Sequence, residues 1–170
     1  LNWKGLTPVN LESGNFNPPH LTSFDDFVDV HSGTEGAQRF EKAVSGMYLG
    51  KIFRAVFPND GFDESFDAKA LTDMINNPKG HKEKHVQVAR WIYKRSAKLV
   101  AASLAGLVLI LVSHDKSIKK ICLTAEGSLF WSKGKGCKEY NKLVSKHLAN
   151  LLVEMGHKKV KVDIKEFKNA

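Results

Sequence analysis

Cysteine is scarce in this 170-residue chain, which contains only Cys122 and Cys137. The two cysteines form no Cys-x-x-Cys pair and no Cys/His cluster with the spacing of zinc ligands. The sequence therefore predicts neither a disulfide framework nor a structural zinc site. A reducing, cytoplasmic location is the simplest expectation for such a chain.

Long apolar runs are also lacking. The longest, residues 100–112, is interrupted by Ser103 and is shorter than the ~20 residues that a membrane helix needs. The N-terminus has no signal-peptide pattern, so we expect no membrane partner. It does not begin with Met, and we expect the chain to be a piece of a longer protein. Thirteen glycines and five prolines exclude a collagen-like or low-complexity chain.

The net charge of +8 is concentrated near the C-terminus, where residues 131–170 hold ten lysines and only four acidic residues. A basic segment can bind nucleic acid when aromatic side chains lie among its lysines. Here the aromatics Trp131, Tyr140 and Phe167 are widely spaced. A solvent-exposed lysine face is favoured, and nucleic acid is not an expected partner.

Hydrophobic periodicity predicts helices over residues 32–56, 66–76, 83–113 and 139–155. A capping box at residues 32–35 predicts the start of the first helix, and the second half of the long helix is apolar nearly all round, which predicts burial. Predicted strands cover residues 9–12, 118–125, 129–131 and 160–164, and the second of these is expected to be buried. Residues 21–31 support no assignment. Helices followed by strand, helix and strand indicate an α/β fold with helices outside a small sheet.

Three polar residues are candidates for binding a neutral polyol. Glu12 lies at a predicted strand end before a glycine turn, and Gln38 and Glu41 are three apart on one face at a predicted helix start. Carboxylates bind hydroxyl groups through charge-assisted hydrogen bonds. Taken singly, a glutamate is more often an exposed or capping residue than a ligand-binding one. Gly46 and Gly50, four apart within the same predicted helix, indicate either close packing or a ligand near the backbone.

Two segments resemble the hexokinase family. Residues 9–16 read Val-Asn-Leu-Glu-Ser-Gly-Asn-Phe, similar to the hexokinase stretch Ile-Asn-Thr-Glu-Trp-Gly-Ala-Phe. Residues 36–50 read Gly-Ala-Gln-Arg-Phe-Glu-Lys-Ala-Val-Ser-Gly-Met-Tyr-Leu-Gly and closely resemble Gly-Lys-Gln-Arg-Phe-Glu-Lys-Met-Ile-Ser-Gly-Met-Tyr-Leu-Gly. Looser resemblance continues at residues 66–74, 95–102 and 124–130.

The resemblance implies the large-lobe part of an actin-like ATPase (ribonuclease H-like) sugar kinase, with helices packed on a small mixed sheet. By the same resemblance, hexose binds in a cleft between two lobes, and ATP with Mg²⁺ donates the phosphoryl group. The substrate-binding residues so implied are Glu12, Glu41, Gln38 and, in a supporting role, Asn10. The residues implied near the nucleotide are Gly46 and Thr72.

Three features of the family are missing from this sequence. They are the proton-accepting aspartate of the small lobe, a phosphate loop rich in Asp and Gly, and a Gly-rich C-terminal stretch. Residues 1–170 are therefore expected to form a single domain that holds no catalytic residue and no metal ligand and is inactive alone, with the remainder of a hexokinase chain as its partner. The chain also departs from the family pattern at Ser13, Lys51 and Ala68.

The function implied is the ATP-dependent phosphorylation of a hexose, glucose to glucose 6-phosphate, by the intact protein. One alternative is a non-catalytic hexokinase-like sugar sensor or scaffold. A second is a basic nucleic-acid-binding domain, and a third is a glycosidase that uses Glu12 and Glu41 as an acid and base pair. Neither the preferred hexose nor the oligomeric state follows from the sequence.

Overall fold

The structure is a computed structural model that describes residues 12–132 and 139–166. In this part of the chain it has six helices and two strands. In chain order they are α1 (Ser23–Val30), α2 (Arg39–Val44), α3 (Gly46–Val56), α4 (Ala68–Asn76), α5 (Glu83–His114), β1 (Lys120–Ala125), α6 (Tyr140–Glu154) and β2 (Lys161–Glu166).

The long helix α5 runs through the core, and its bounds agree with the prediction to within one residue. Small side chains such as Ala97, Ala101 and Ala105 are fully buried along it, which lets α6 and the other helices approach closely. The prediction that its second half is buried all round is wrong. Only one stripe is covered by α6 and its neighbours, and Ile110 on another side is 58% exposed.

Helix α5 is also long and apolar enough, by length and composition, to cross a membrane. Only 33% of its most apolar 18-residue window is buried by the rest of the described chain. The core helix of a water-soluble protein satisfies the same criteria, so this finding is weak support for a membrane span. The prediction that the chain has no membrane partner stays a prediction.

Strands β1 and β2 form a two-stranded parallel sheet, in which Lys120 pairs with Lys161 and Ala125 with Glu166. Parallel neighbours need a crossover connection, and α6 supplies it. The expected mixed sheet is therefore wrong for the described residues, where the sheet is purely parallel. The expectation that β1 is buried is also wrong, because its residues alternate between exposed and half-buried. Residues 129–131, expected as a strand, form a turn instead.

The predicted helix over residues 32–56 is two helices that follow a loop. The expected capping box at Ser32 is absent, because no helix begins there. The Ser32 hydroxyl instead donates to the carbonyl of Asp29 at 2.6 Å, at the end of α1. The break between α2 and α3 falls at Ser45, whose backbone is extended (φ −72°, ψ 144°) and whose side chain accepts from the N–H of Met47. Serine is among the residues that best cap a helix start.

Helix α1 occupies the segment that the sequence left unassigned. Its N-terminus has a capping box in which Thr22 and Asp25 bond each other, with Thr22 N to Asp25 Oδ2 at 2.7 Å. The buried side chains of α1 are Asp25, Val28 and Asp29, whereas Phe27 is 52% exposed. The buried face of this helix is thus largely acidic.

Helix α4 confirms the predicted helix at residues 66–76, although it begins two residues later with Asp67 as its N-cap. The loop that precedes it passes close to α3 at Gly50. A Cβ atom added there would lie 2.1 Å from the carbonyl oxygen of Phe66, so only glycine fits. The close-packing interpretation of Gly50 is therefore the right one.

Candidate functional site

The segment after Glu12 folds as the predicted turn and covers the N-terminus of α2. The free N–H groups at a helix start need partners from outside the helix. The carbonyl of Phe16 accepts from Phe40 N at 2.9 Å, and that of Gly14 accepts from Glu41 N at 3.3 Å. The side-chain oxygen of Asn15 accepts from Gln38 N at 3.0 Å. Two segments that are far apart in sequence are thereby held as one unit.

The turn brings the candidate sugar-binding residues together. A Cβ atom added at Gly14 would lie 3.6 Å from Oε2 of Glu41, which places the Glu41 carboxylate against the turn. Glu12 is exposed and only two residues from Gly14, so its Cα lies within about 7 Å of that of Gly14. Gln38 is exposed beside them in a left-handed conformation (φ 51°). The structure thus gathers Glu12, Gln38 and Glu41 at one end of α2.

Two other sequence-based expectations concern this end of the molecule. Asn10 lies outside the described residues, as does most of the predicted strand at residues 9–12. Asn15 was not among the candidates, although it joins the two segments. Its position in a Ser-Gly-Asn turn was a usable signal, because asparagine side chains commonly bond nearby backbone groups.

A wide cleft of about 890 Å³ lies on the other side of the Ser45 break. Gly46 and Thr72, the two residues expected near a nucleotide, both line it. The structure therefore brings this pair together as well. The remaining lining residues are Ser45, Met47, Asp67, Ala68, Lys69, Asp73, Asn76, Gly127, Ser128, Leu129 and Ser132.

The chemistry of this cleft is mixed. Met47, Ala68 and Leu129 provide apolar surface, and a Cβ atom added at Gly46 would lie 3.4 Å from the Cβ of Leu129. Thr72 uses its only hydroxyl proton on the carbonyl of Ala68 at 2.7 Å. Its oxygen can therefore only accept a hydrogen bond from a ligand.

Glu41 and Gly46 lie on different helices, α2 and α3. The single helix predicted over residues 32–56 would have carried both positions, and this part of the prediction is therefore wrong. The extended backbone of Ser45 separates them, and the carbonyl of Val44 accepts a hydrogen bond from the Ser96 hydroxyl at 2.7 Å. Glu41 and Gly46 are therefore held in place by different contacts.

No three His, Cys, Asp or Glu side chains within residues 12–132 and 139–166 are grouped so that they could hold a metal ion. Of the three aromatics near the basic C-terminal segment, Tyr140 is 2% exposed, and Trp131 donates its ring N–H to the carbonyl of Ala125 at 2.9 Å. Phe167 lies outside the described residues. A buried Tyr140 cannot stack on a nucleic-acid base.

Comparison with known proteins shows which family this chain resembles. The family model described as Hexokinase matches residues 3–59. Hexokinase-2 of Solanum tuberosum is 27% identical over 215 aligned positions, which cover 99% of this chain and 42% of that protein. Hexokinase-1 of Arabidopsis thaliana is 38% identical over 84 positions, which cover 45% of this chain and 17% of that protein.

Solved structures extend the likeness to the fold. The structure titled "Crystal structure of Hexokinase" covers 94% of this chain with a TM-score of 0.69 at 26% identity, and this chain covers 41% of it. The resemblance to the hexokinases is confirmed. A glucose complex of the hexokinase from Schistosoma mansoni, at 21% identity and a TM-score of 0.57, shares the fold.

The predicted fold class, the large-lobe part of an actin-like ATPase sugar kinase, is confirmed by these hexokinase structures. This hexokinase-like chain spans less than half the length of the curated relatives and solved structures that it matches. The roles of individual side chains are not tested by overall likeness, and those of Glu12, Gln38 and Glu41 stay predictions.

Proposed function

We propose that this chain provides the sugar-binding carboxylates and part of the nucleotide cleft of a hexokinase-type phosphotransferase. The observation that carries the proposal is the docking of the turn at residues 13–16 onto α2, which sets Gly14 against the carboxylate of Glu41. A family resemblance alone would not require the two matched segments to meet. Here they meet through backbone hydrogen bonds.

These three residues have side chains that suit the hydroxyl groups of a hexose. The carboxylates of Glu12 and Glu41 accept hydrogen bonds from hydroxyl groups, and the Gln38 amide both donates and accepts. Several such bonds fix the orientation of a sugar ring, and good orientation lowers the barrier to transfer. In the intact protein, a base outside this chain would take the proton from the attacking hydroxyl.

The cleft beside Gly46 suits the nucleoside end of ATP better than its phosphates. Among the described residues that line it, two are acidic, and Lys69, the only basic one of that set, is paired with Asp73 at 3.1 Å. Such a surface repels phosphate, whereas Thr72 can accept from a ribose hydroxyl or an adenine amino group. Mg²⁺ would neutralise charge on the phosphates during transfer.

Glucose binding to the purified 170-residue chain tests the sugar site. We expect weak binding by saturation-transfer NMR, and its loss in Glu41→Gln and in Glu12→Gln, which keep the side-chain shape but remove the charge. Glu154→Gln, an exposed change on α6, is the matched control and should bind as the wild type does. Binding that survives both site substitutions would contradict the proposed roles.

Turnover separates a kinase from a sugar sensor. We expect no glucose 6-phosphate from the 170-residue chain with ATP and Mg²⁺, because the proton-accepting group lies elsewhere. A longer protein that contains this chain should release ADP only when glucose is present. A longer protein that binds glucose without turnover would favour the sensor.

A further inference from the structure

Four charged side chains form a cluster between α1 and α2: Asp26, Asp29, Arg39 and Lys42. We propose that this cluster is a positioning device for the sugar site, because it fixes the loop at residues 31–38 and so aims Gln38 and Glu41. The inference rests on the proposed function, since it assumes that these two side chains contact the sugar. None of the four charged side chains is itself proposed to touch substrate.

The centre of the cluster is a buried ion pair. Lys42 is 3% and Asp29 is 4% exposed, and Lys42 Nζ lies 2.6 Å from Asp29 Oδ1. Arg39 contacts the other oxygen of Asp29 at 2.8 Å and also pairs with Asp26. Two acidic and two basic groups therefore balance. A buried charge that loses its partner is strongly unfavourable.

Asp29 stays ionised in this setting. Burial opposes its ionisation, but hydrogen bonds from Lys42, the Gly36 N–H and Arg39 outweigh that effect and lower its pKa to about 2. The carboxylate therefore keeps its charge throughout the neutral range.

The cluster holds the loop by its backbone. Gly36 N donates to Asp29 Oδ2 at 2.9 Å, and Lys42 Nζ donates to the Thr34 carbonyl at 2.5 Å. The loop needs such anchors because Gly33, Gly36 and Gln38 all have positive φ. The left-handed conformation is unfavourable for Gln38, which carries a side chain.

Helix α2 cannot fix its own direction. It is six residues long, and isolated helices of that length do not form in water. The turn at residues 13–16 holds its N-terminus, and the cluster holds the side that carries Arg39 and Lys42. Glu41 lies on the same short helix but against Gly14. The position of the Glu41 carboxylate therefore depends on both the turn at residues 13–16 and the charged cluster.

A purely stabilising role is the competing explanation. It makes a different prediction, because replacing a buried ion pair with uncharged groups is often neutral for stability. The double variant Asp29→Asn/Lys42→Met removes the buried pair without leaving a lone charge. It should fold nearly as stably as the wild type, but Gln38 and Glu41 should no longer be held in position for binding sugar.

The experiment measures loop order and glucose affinity in the 170-residue chain. The variants are Lys42→Met, Asp29→Asn/Lys42→Met and the control Lys142→Met, which removes an exposed lysine paired with Glu139. Amide hydrogen exchange of Gly36 and Gln38 reports the loop, that of Glu41 reports the start of α2, and that of Ala97 and Ala101 reports the core. In the double variant we expect loop exchange to accelerate about tenfold or more, with the core unchanged, and glucose affinity to fall about tenfold.

The outcomes separate the two proposals. A wild-type chain that does not bind glucose contradicts the proposed function, and the exchange rates still decide whether the cluster holds the loop. Unchanged loop exchange in the double variant overturns the positioning role. A parallel rise in loop and core exchange also overturns it, because the cluster would then only support global stability.

Discussion

Helices α1 and α5 are placed by opposite kinds of contact. Helix α5 buries alanines and valines and is covered by apolar neighbours. Helix α1 buries the carboxylates of Asp25 and Asp29 and leaves Phe27 half in solvent. Arg95 on α5 bonds both oxygens of Asp25, at 3.0 and 2.8 Å, which ties the two helices together.

The difference bears on the proposed function. Apolar burial is strong but non-directional, so it fixes where α5 lies more firmly than how any one side chain points. Ion pairs and hydrogen bonds are directional, and they surround the end of the molecule that carries Glu12, Gln38 and Glu41. Directional contacts therefore arrange the end of the molecule that carries the proposed sugar site, whereas the packing of apolar side chains arranges the helical core.

Gly50→Ala should produce the largest effect on stability, on the apolar side of the comparison. The added Cβ would lie 2.1 Å from the Phe66 carbonyl, and backbone must move to relieve it. We expect a loss of about 4 kcal/mol in the free energy of unfolding, measured by urea denaturation. Gly106→Ala is the matched control.

Gly106 lies in α5 and has no atom within 4 Å of an added Cβ. Its replacement should raise stability by about 0.5–1 kcal/mol, because alanine favours the helix. Equal effects at the two glycines would show that volume does not govern this region.

Arg95→Met tests the directional contact between α5 and α1. It leaves the Asp25 carboxylate, 4% exposed, without its guanidinium partner. We expect a loss of about 3 kcal/mol in urea denaturation. Adding Asp25→Asn should restore part of that loss, since the two side chains act as a unit. Additive effects of the two changes would mean that the pair does not hold α1 to α5.

Sequence periodicity predicted the elements that are held by apolar packing and missed those that are held by ion pairs and hydrogen bonds. Helices α5, α6 and α4 and strand β2 were predicted within two residues at most ends, because their buried faces are apolar. Helix α1 was missed because its apolar residues, although at helical spacing, are interleaved with aspartates, two of which lie on the buried face. The break at Ser45 was missed because the apolar repeat of residues 40–56 runs on across it.

The candidate site divides in the same way. Glu12, Gln38 and Glu41 were predicted from local motifs, and Gly46 and Thr72 from the family resemblance. The structure places the first three near one end of α2 and the last two in one cleft, and their roles stay predictions. The cluster of Asp29 with Lys42 was not found. Its members are 13 residues apart, and only the path of the loop brings them into contact.

Acidification should remove about 2 kcal/mol that the Asp29 carboxylate contributes to the free energy of unfolding. The pKa of Asp29 is about 2 when folded against an ordinary 3.8, so its contribution is complete above about pH 5, about half lost at pH 3 and almost entirely lost below about pH 2. We expect wild-type stability to fall over that window more steeply than that of Asp29→Asn/Lys42→Met. Urea denaturation at pH 5, 4 and 3 measures the difference, and parallel curves would contradict it.

Ser96→Ala should give the smallest of these losses, about 1.5 kcal/mol in the free energy of unfolding. Ser96 is fully buried, and its hydroxyl donates to the Val44 carbonyl, so at 2.6 Å it accepts from Tyr140. Burial raises the pKa of Tyr140, which keeps that hydroxyl protonated and able to donate. Alanine leaves both partners without this hydroxyl.

Ser145→Ala is the control, because its hydroxyl bonds the Asn141 carbonyl on an exposed face and should contribute almost nothing. The comparison matters at Val44, the residue just before the break between α2 and α3. A directional contact from the apolar helix α5 meets the chain there, between Glu41 and Gly46. If Ser96→Ala cost no more than Ser145→Ala, the break would be set by Ser45 alone, and the core would not help to separate the two proposed sites.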